Sequence, residues 1–320
     1  MTTKILTLAL ALGLASFTRL AAAAPGDRLS TFDAHANAAL PTTFALPSPG
    51  GGEQRISLLE ELGAEVEVDG RRAAIFLAEI DGRPGTIVRL GDALDIALDE
   101  EAWELPRSGY AIDRESDAPS TAPAPPGAAR KAAQTNAVDV RIFLHDESGE
   151  SDRAKFLNWY VVWWLKDMQE NVTPGAPVRV AVHEHVPGLT DLDYHVGTIE
   201  DRIRDVARRG REFMGSWGDR VTPLTEYVLF VGSAGSTWKP GVVGGAVELA
   251  GAAIASRQGP RHVVAHELGH LLGARHEDAQ RDLFCVTNMK DDTLTAGACK
   301  RYSDANKERI RRYVSRRSGD

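Results

Sequence analysis

The spacing of apolar positions changes character along this chain. Over residues 64–68, 73–80 and 86–90 it alternates, and the intervening Asp69-Gly70 and Asp81-Gly82-Arg83-Pro84-Gly85 are turn formers. That stretch predicts short antiparallel strands. From residue 138 onward, β-branched runs and helical periods take turns. Residues 138–144, 178–182 and 227–231 read as strands, and 151–169 and 199–213 as helices. Residues 244–249 and 252–255 read as short Gly/Ala-rich strands, followed by a helix through 266–270 with Pro260 near its first turn. A closing helix starts at Ser303, a good N-cap, and buries Ile310, Tyr313 and Val314. The aromatic stripe Phe156, Tyr160, Trp163 and Trp164, at spacings of three and four, reads as core ahead of a binding surface. Together these predict an α/β fold with a mixed, mostly parallel sheet, preceded by a small, mainly β N-terminal domain.

Composition sharpens the division into parts. Lys4, an apolar run over 5–17 and the small residues 21–24 have the order of a secretory signal peptide, residues 1–23, with cleavage after Ala23. The run is too short for a membrane span, and no other segment reaches spanning length. The expected location is therefore secreted, extracellular or periplasmic. Residues 116–136 are rich in Ala, Pro, Ser and Thr and read as an exposed linker, a natural cutting site. They separate an N-terminal domain, 24–115, from a second unit, 137–320. Residues 25–131 hold 19 acidic against 10 basic side chains, whereas 132–320 hold 26 against 25. This asymmetry suggests a propeptide, with a retained accessory domain as the alternative. The net charge of −8, without a basic stretch interleaved with aromatics, speaks against nucleic acid as a partner. In an exported chain the two cysteines, Cys285 and Cys299, read as one disulfide.

The candidate chemistry is concentrated in His266-Glu267-Leu268-Gly269-His270-Leu271-Leu272-Gly273-Ala274-Arg275-His276. On a helix, His266 and His270 stack one turn apart, so two imidazoles can reach one metal ion. Glu267 lies about 100° round the axis, beside the ion, where a carboxylate can act as base on a metal-activated water. A straight helix would carry His276 about 15 Å along the axis from His266, so the chain must turn sharply before it. Gly273 is the residue type that takes the left-handed conformation such a turn needs. His266, His270 and His276 are thus candidate ligands of a single catalytic Zn²⁺, with Glu267 as the candidate catalytic residue. His183 and His185 at one strand end, and His262 one turn before His266, have no accompanying Cys or Asp cluster and read as ordinary residues. His35, His145 and His195 carry no pattern.

The same eleven residues resemble the zinc signature of the metzincin metallopeptidases. The order of elements over 137–320 is most similar to the adamalysin (reprolysin-like) branch, whose long helix before the third strand corresponds to residues 199–213. The resemblance implies a methionine turn beneath the metal, for which Met289 in Cys285-Val286-Thr287-Asn288-Met289 is the candidate, enclosed by Cys285 and Cys299. It also implies that the strand over 244–249 edges the cleft and takes a peptide substrate as an added strand. Glu277, after the third His, is more similar to astacins, while Lys290 and Asp291 stand where an astacin has its tyrosine. The N-terminal domain has no cysteine, so latency through a thiolate on zinc is closed to it. As inhibitor it would act by steric cover or through a carboxylate or backbone ligand. The expected function is a secreted zinc metalloendopeptidase acting on a protein or peptide. The alternatives are a zinc-stabilised binding or adhesion module, against which Glu267 speaks, and a zinc hydrolase of a non-peptide bond.

Overall fold

The structure, a computed structural model, describes residues 25–99, 137–282, 285–290 and 297–318. The expected signal peptide and the linker over 116–136 lie outside the described residues, as do residues 100–115 of the N-terminal domain.

The alternating N-terminal stretch forms one helix, α1 (Pro25–Ala36), and six strands: β1 (Thr42–Pro47), β2 (Glu53–Glu61), β3 (Glu65–Val68), β4 (Arg71–Ile80), β5 (Arg83–Leu90) and β6 (Ala93–Leu98). β4 runs antiparallel to β2, β3 and β5, and β1 and β6 extend the two sides. Asp69-Gly70 and Asp81-Gly82 hold positive φ at both positions, the two-residue turn that suits the right-handed twist of a hairpin. Phe32 of α1 meets Phe44 and Phe76 edge-on, with centroids 6.3 and 5.4 Å apart, and closes a core of its own. Sequence pattern finds β3, β4 and β5 but not β1, β2 or β6. In β2 only Ile56 and Leu58 are buried among nine residues, too short an alternation to register.

Beyond residue 137 lie β7 (Val138–Leu144), β8 (Val178–His183), β9 (Thr225–Val231), β10 (Gly244–Val247) and β11 (Ala252–Ser256). β8, β7, β9 and β11 are parallel in that order, and β10 runs antiparallel at the edge beside β11. Every residue of β7 and β9 is buried, Asp139, Arg141 and Glu226 included, and their β-branched and aromatic residues are why they read as strands. Between β7 and β8 a helical run carries α2 (Arg153–Phe156) and α3 (Val162–Asp167), alternating with π-helical segments Leu157–Val161 and Met168–Val172. Its aromatic stripe is core: Phe156 and Tyr160 pack on Phe230 of β9 with centroids 5.1 and 4.8 Å apart. The opposite face is covered by α4 (Ile199–Trp217), capped by Thr198 at one end and left-handed Gly218 at the other. Ile203, Val206, Ala207, Gly210 and Met214 form its buried stripe. α5 (Val263–Leu271) follows β11 on the same face as α2 and α3, and α6 (Asp304–Ser318) closes the chain. Strand β3 pairs in parallel with β8, so the strands of both parts join one 11-stranded sheet. Among the described residues no helix is long and apolar enough to cross a membrane.

Candidate metal centre

α5 is apolar on nearly every side and all nine of its residues are buried, so His266 and Glu267 lie in the interior. A buried imidazole is stable there only as the neutral ring. Burial holds the pKa of His266 well below its ordinary value, with His270 and His276 adding to the shift. Burial likewise brings His270 down to about 3. The ring of His266 is fixed from behind: its Nδ1 donates to the carbonyl of Asn288 at 2.7 Å, which leaves Nε2 with a lone pair. That Nε2 lies 3.2 Å from Nε2 of His270 and 2.9 Å from Nε2 of His276, and the last two are 2.9 Å apart. Three lone pairs directed at one point repel each other unless a cation stands between them. Nitrogens about 2 Å from a tetrahedral zinc would be about 3.3 Å apart, so the triad fits that ion with a slight opening.

The placement of His276, the third candidate ligand, depends on how α5 ends. Ala274 N donates to Gly269 O at 2.8 Å and Gly273 N to His270 O at 3.0 Å, the paired bonds of a Schellman terminus. Gly273 occupies its left-handed position at φ +84°. Arg275 is extended, and His276–Asp278 forms a single 3₁₀ turn. The N-terminal end of α6 then clamps this segment. Asn306, fully buried, accepts from Arg275 N at 2.8 Å and donates from Nδ2 to Arg275 O at 3.0 Å. Ser303 Oγ donates to the Asp278 carbonyl and accepts from Asn306 N, and Arg309 pairs with the Asp278 carboxylate. His276 is thus pinned on both sides by one helix.

Met289 is fully buried in a turn closed by a bond from Lys290 N to Thr287 O, 2.9 Å. It packs against α5 where Gly269 has no side chain; a Cβ there would lie 2.3 Å from Met289 Sδ and 2.9 Å from Tyr302 Cε1. Tyr302 donates its hydroxyl to Ala265 O of α5 and accepts from Trp164 Nε1 at 3.1 Å. Cys285 and Cys299 form a disulfide, S–S 2.08 Å, which ties both flanks of this turn together. Short strands β12 (Cys285–Val286) and β13 (Gly297–Ala298) pair beside it. Glu267 is fully buried, and its carboxylate faces β10: a Cβ on Gly244 would fall 2.4 Å from Oε1. The structure therefore brings the Nε2 atoms of His266, His270 and His276 to one point, with Gly273 in the turn before His276, Met289 packed on α5 at Gly269, and the Glu267 carboxylate against the edge strand.

The remaining histidines stay apart from it. His183 stacks on Phe143, and burial lowers its pKa to about 4. His262 is buried with Nε2 lacking a hydrogen-bond partner, and its pKa is also lowered to about 4 by burial. Among the described residues, the other group of ligand atoms close enough for one ion is Asp282, Cys285 and Cys299, whose sulfurs are spent on the disulfide. Sequence reasoning missed Asn288, Asn306 and Tyr302. Asn288 acts through a backbone carbonyl, which no residue type betrays. A buried-looking Asn near a helix start is a signal that could have found Asn306.

No protein-family model and no curated protein sequence matches the chain. Its fold is similar to that of the crystal structure of metalloproteinase-II from Bacteroides fragilis, with a TM-score of 0.51 and 15% identity over 85% of this chain and 90% of that one. The share of this chain covered exceeds what residues 137–320 alone could supply, so the likeness reaches into the N-terminal part. At this identity the likeness is one of architecture, and the chain accordingly has a metalloproteinase-like α/β fold.

Proposed function

We propose that this protein is an exported zinc metalloendopeptidase whose unit over 137–320 is most similar in element order to the adamalysin branch of the metzincins. The observation that carries the reading is the convergence of three imidazoles on the helix that also carries the buried Glu267, whose carboxylate faces the sheet edge at β10. His266, His270 and His276 would hold the ion, with Met289 as the apolar floor. Zinc, when bound, polarises the scissile carbonyl and lowers the pKa of water from 15.7 to about 7. Glu267 takes the proton of the attacking water on its carboxylate and passes it to the leaving amine. β10 offers unpaired backbone groups to an extended peptide, which sets the scissile bond alongside Glu267. Asn288 holds the lone pair of His266 in place, and Asn306 holds the backbone that carries His276. In this reading residues 1–23 direct export, and the linker over 116–136 is where the chain is cut between the N-terminal unit and the catalytic unit.

Replacing Glu267 by Gln keeps the shape and removes the base. Hydrolysis of a peptide library should fall by about 10²-fold or more, while one equivalent of zinc stays bound by metal analysis. Full activity in this variant would overturn the mechanism.

A further inference from the structure

Residues 25–99 and 137–318 share more than a covalent connection. Strand β3 forms four parallel pairs with β8, from Glu65 opposite Arg179 to Val68 opposite Val182. Beyond the last pair, Asp69 donates its backbone N–H to Val182 O at 2.9 Å, and its side-chain Oδ1 accepts from Glu184 N at 3.1 Å. Nine buried apolar residues between 62 and 90, Val66 and Ile75 among them, belong to one hydrophobic cluster with β7, β8 and α5. A second contact lies away from the sheet edge. There the buried hydroxyl of Thr86 donates to Asn158 Oδ1 at 2.5 Å, and Asn158 Nδ2 donates to Asp95 Oδ2 at 2.9 Å. A third joins Lys300 Nζ to Asp99 O at 3.0 Å. Charge follows the same division, with Arg179 lying 3.3 Å from Glu67 and 3.7 Å from Glu65.

We infer that the N-terminal unit is a lasting subunit of the enzyme: cutting the linker over 116–136 yields a two-chain, noncovalent complex and does not release residues 25–99. Interfaces that part readily tend to be small and polar, whereas permanent ones are larger and more apolar. This one is a shared sheet and a shared core. Withdrawal would leave one side of β8 as an unpaired sheet edge and open an apolar face to water. It would also uncover the start of the metal helix. Thr86, Leu98, Trp159, Trp163, Arg261 and His262 close a cavity of about 20 Å³, and His262 stands one turn before His266. The retained partner is therefore specific: this chain's own acidic, mainly β unit, held by strand addition at β8.

A specific protease site placed within 116–136 of the full chain tests this, in a Glu267→Gln background so that the fragments are not self-digested. After complete cutting, size-exclusion chromatography at about 1 μM, a concentration that retains complexes with Kd well below it, should show both fragments in one peak at equal stoichiometry. Two separate peaks would overturn the inference. Cutting the same chain with Val66→Asp and Arg179→Glu should weaken the association at least tenfold, with the uncut variant still folded by circular dichroism. If that cut variant stays as tightly joined as the parent, the β3–β8 contact is not what holds the subunits. Neither readout involves hydrolysis, so the outcome stands apart from the peptidase assignment.

Discussion

Gly244 is the point where the edge strand passes the Glu267 carboxylate. A methyl group built on it would fall 2.4 Å from Glu267 Oε1 and 3.1 Å from Ile254 O, and the carboxylate is the part that can move. Gly244→Ala should therefore displace Glu267 while leaving the strand paired. kcat for a peptide should drop about tenfold or more, which corresponds to about 1.4 kcal/mol in the barrier, with melting temperature and zinc content unchanged. An unaltered kcat would mean that the position of this carboxylate does not limit turnover. His266, Glu267 and His270 were legible as candidates because side-chain type at helical spacing groups them, and His276 because Gly273 marks the turn before it. Gly244 was not, since what it supplies is the absence of an atom, and that has meaning only once Glu267 is seen opposite.

At the scale of elements, the candidate metal centre is assembled by three pieces: α5, the turn at Met289, and the start of α6. Sequence spacing announced the first, and the likeness of the eleven-residue stretch to metzincins pointed to the second. The third acts across 31 residues, through bonds from Asn306 to the peptide groups of Arg275, and no periodicity records it. The same contrast runs through the fold. β7 declared itself by its β-branched residues and β9 by the apolar run over 227–231, whereas β3, four residues long, could be read as a strand but not as one that crosses to β8. Asn306→Ala strips both partners from the Arg275 backbone, and leaving buried peptide groups unpaired costs on the order of 2 kcal/mol. Because that backbone precedes His276, zinc affinity should fall with stability, by about tenfold or more in a competition titration against a chelator. Asn306→Asp keeps the acceptor for Arg275 N and should recover part of that affinity. Equal affinity in all three proteins would confine Asn306 to folding.

At the scale of the whole molecule, Glu226 on β9 is a fully buried acid outside the candidate metal centre. It is fully enclosed, and burial holds its carboxyl well above the usual carboxylate range, with Glu248 adding and Arg317 and a bond from Tyr313 opposing. Burial raises the pKa of Glu248 as well. The folded chain thus binds the Glu226 proton more tightly than the unfolded chain does. Its contribution to stability is complete below the unfolded value of about 4.3 and is lost as pH rises towards the folded value. Glu226→Gln stays neutral throughout and should escape this loss. Its unfolding free energy in urea should differ little from that of the parent at pH 4 and exceed it increasingly towards pH 8. The gap should grow by about 1.4 kcal/mol for every factor of ten by which folding tightens the hold on the proton. A constant difference across that range would show that Glu226 titrates alike in both states. The cluster also touches the metal site: Tyr313 lies against Gly273, where an added Cβ would come within 3.1 Å of its ring. Neutralising Glu226 should therefore firm the support of the turn that delivers His276, and zinc should be held at least as tightly in the variant at pH 8 as in the parent.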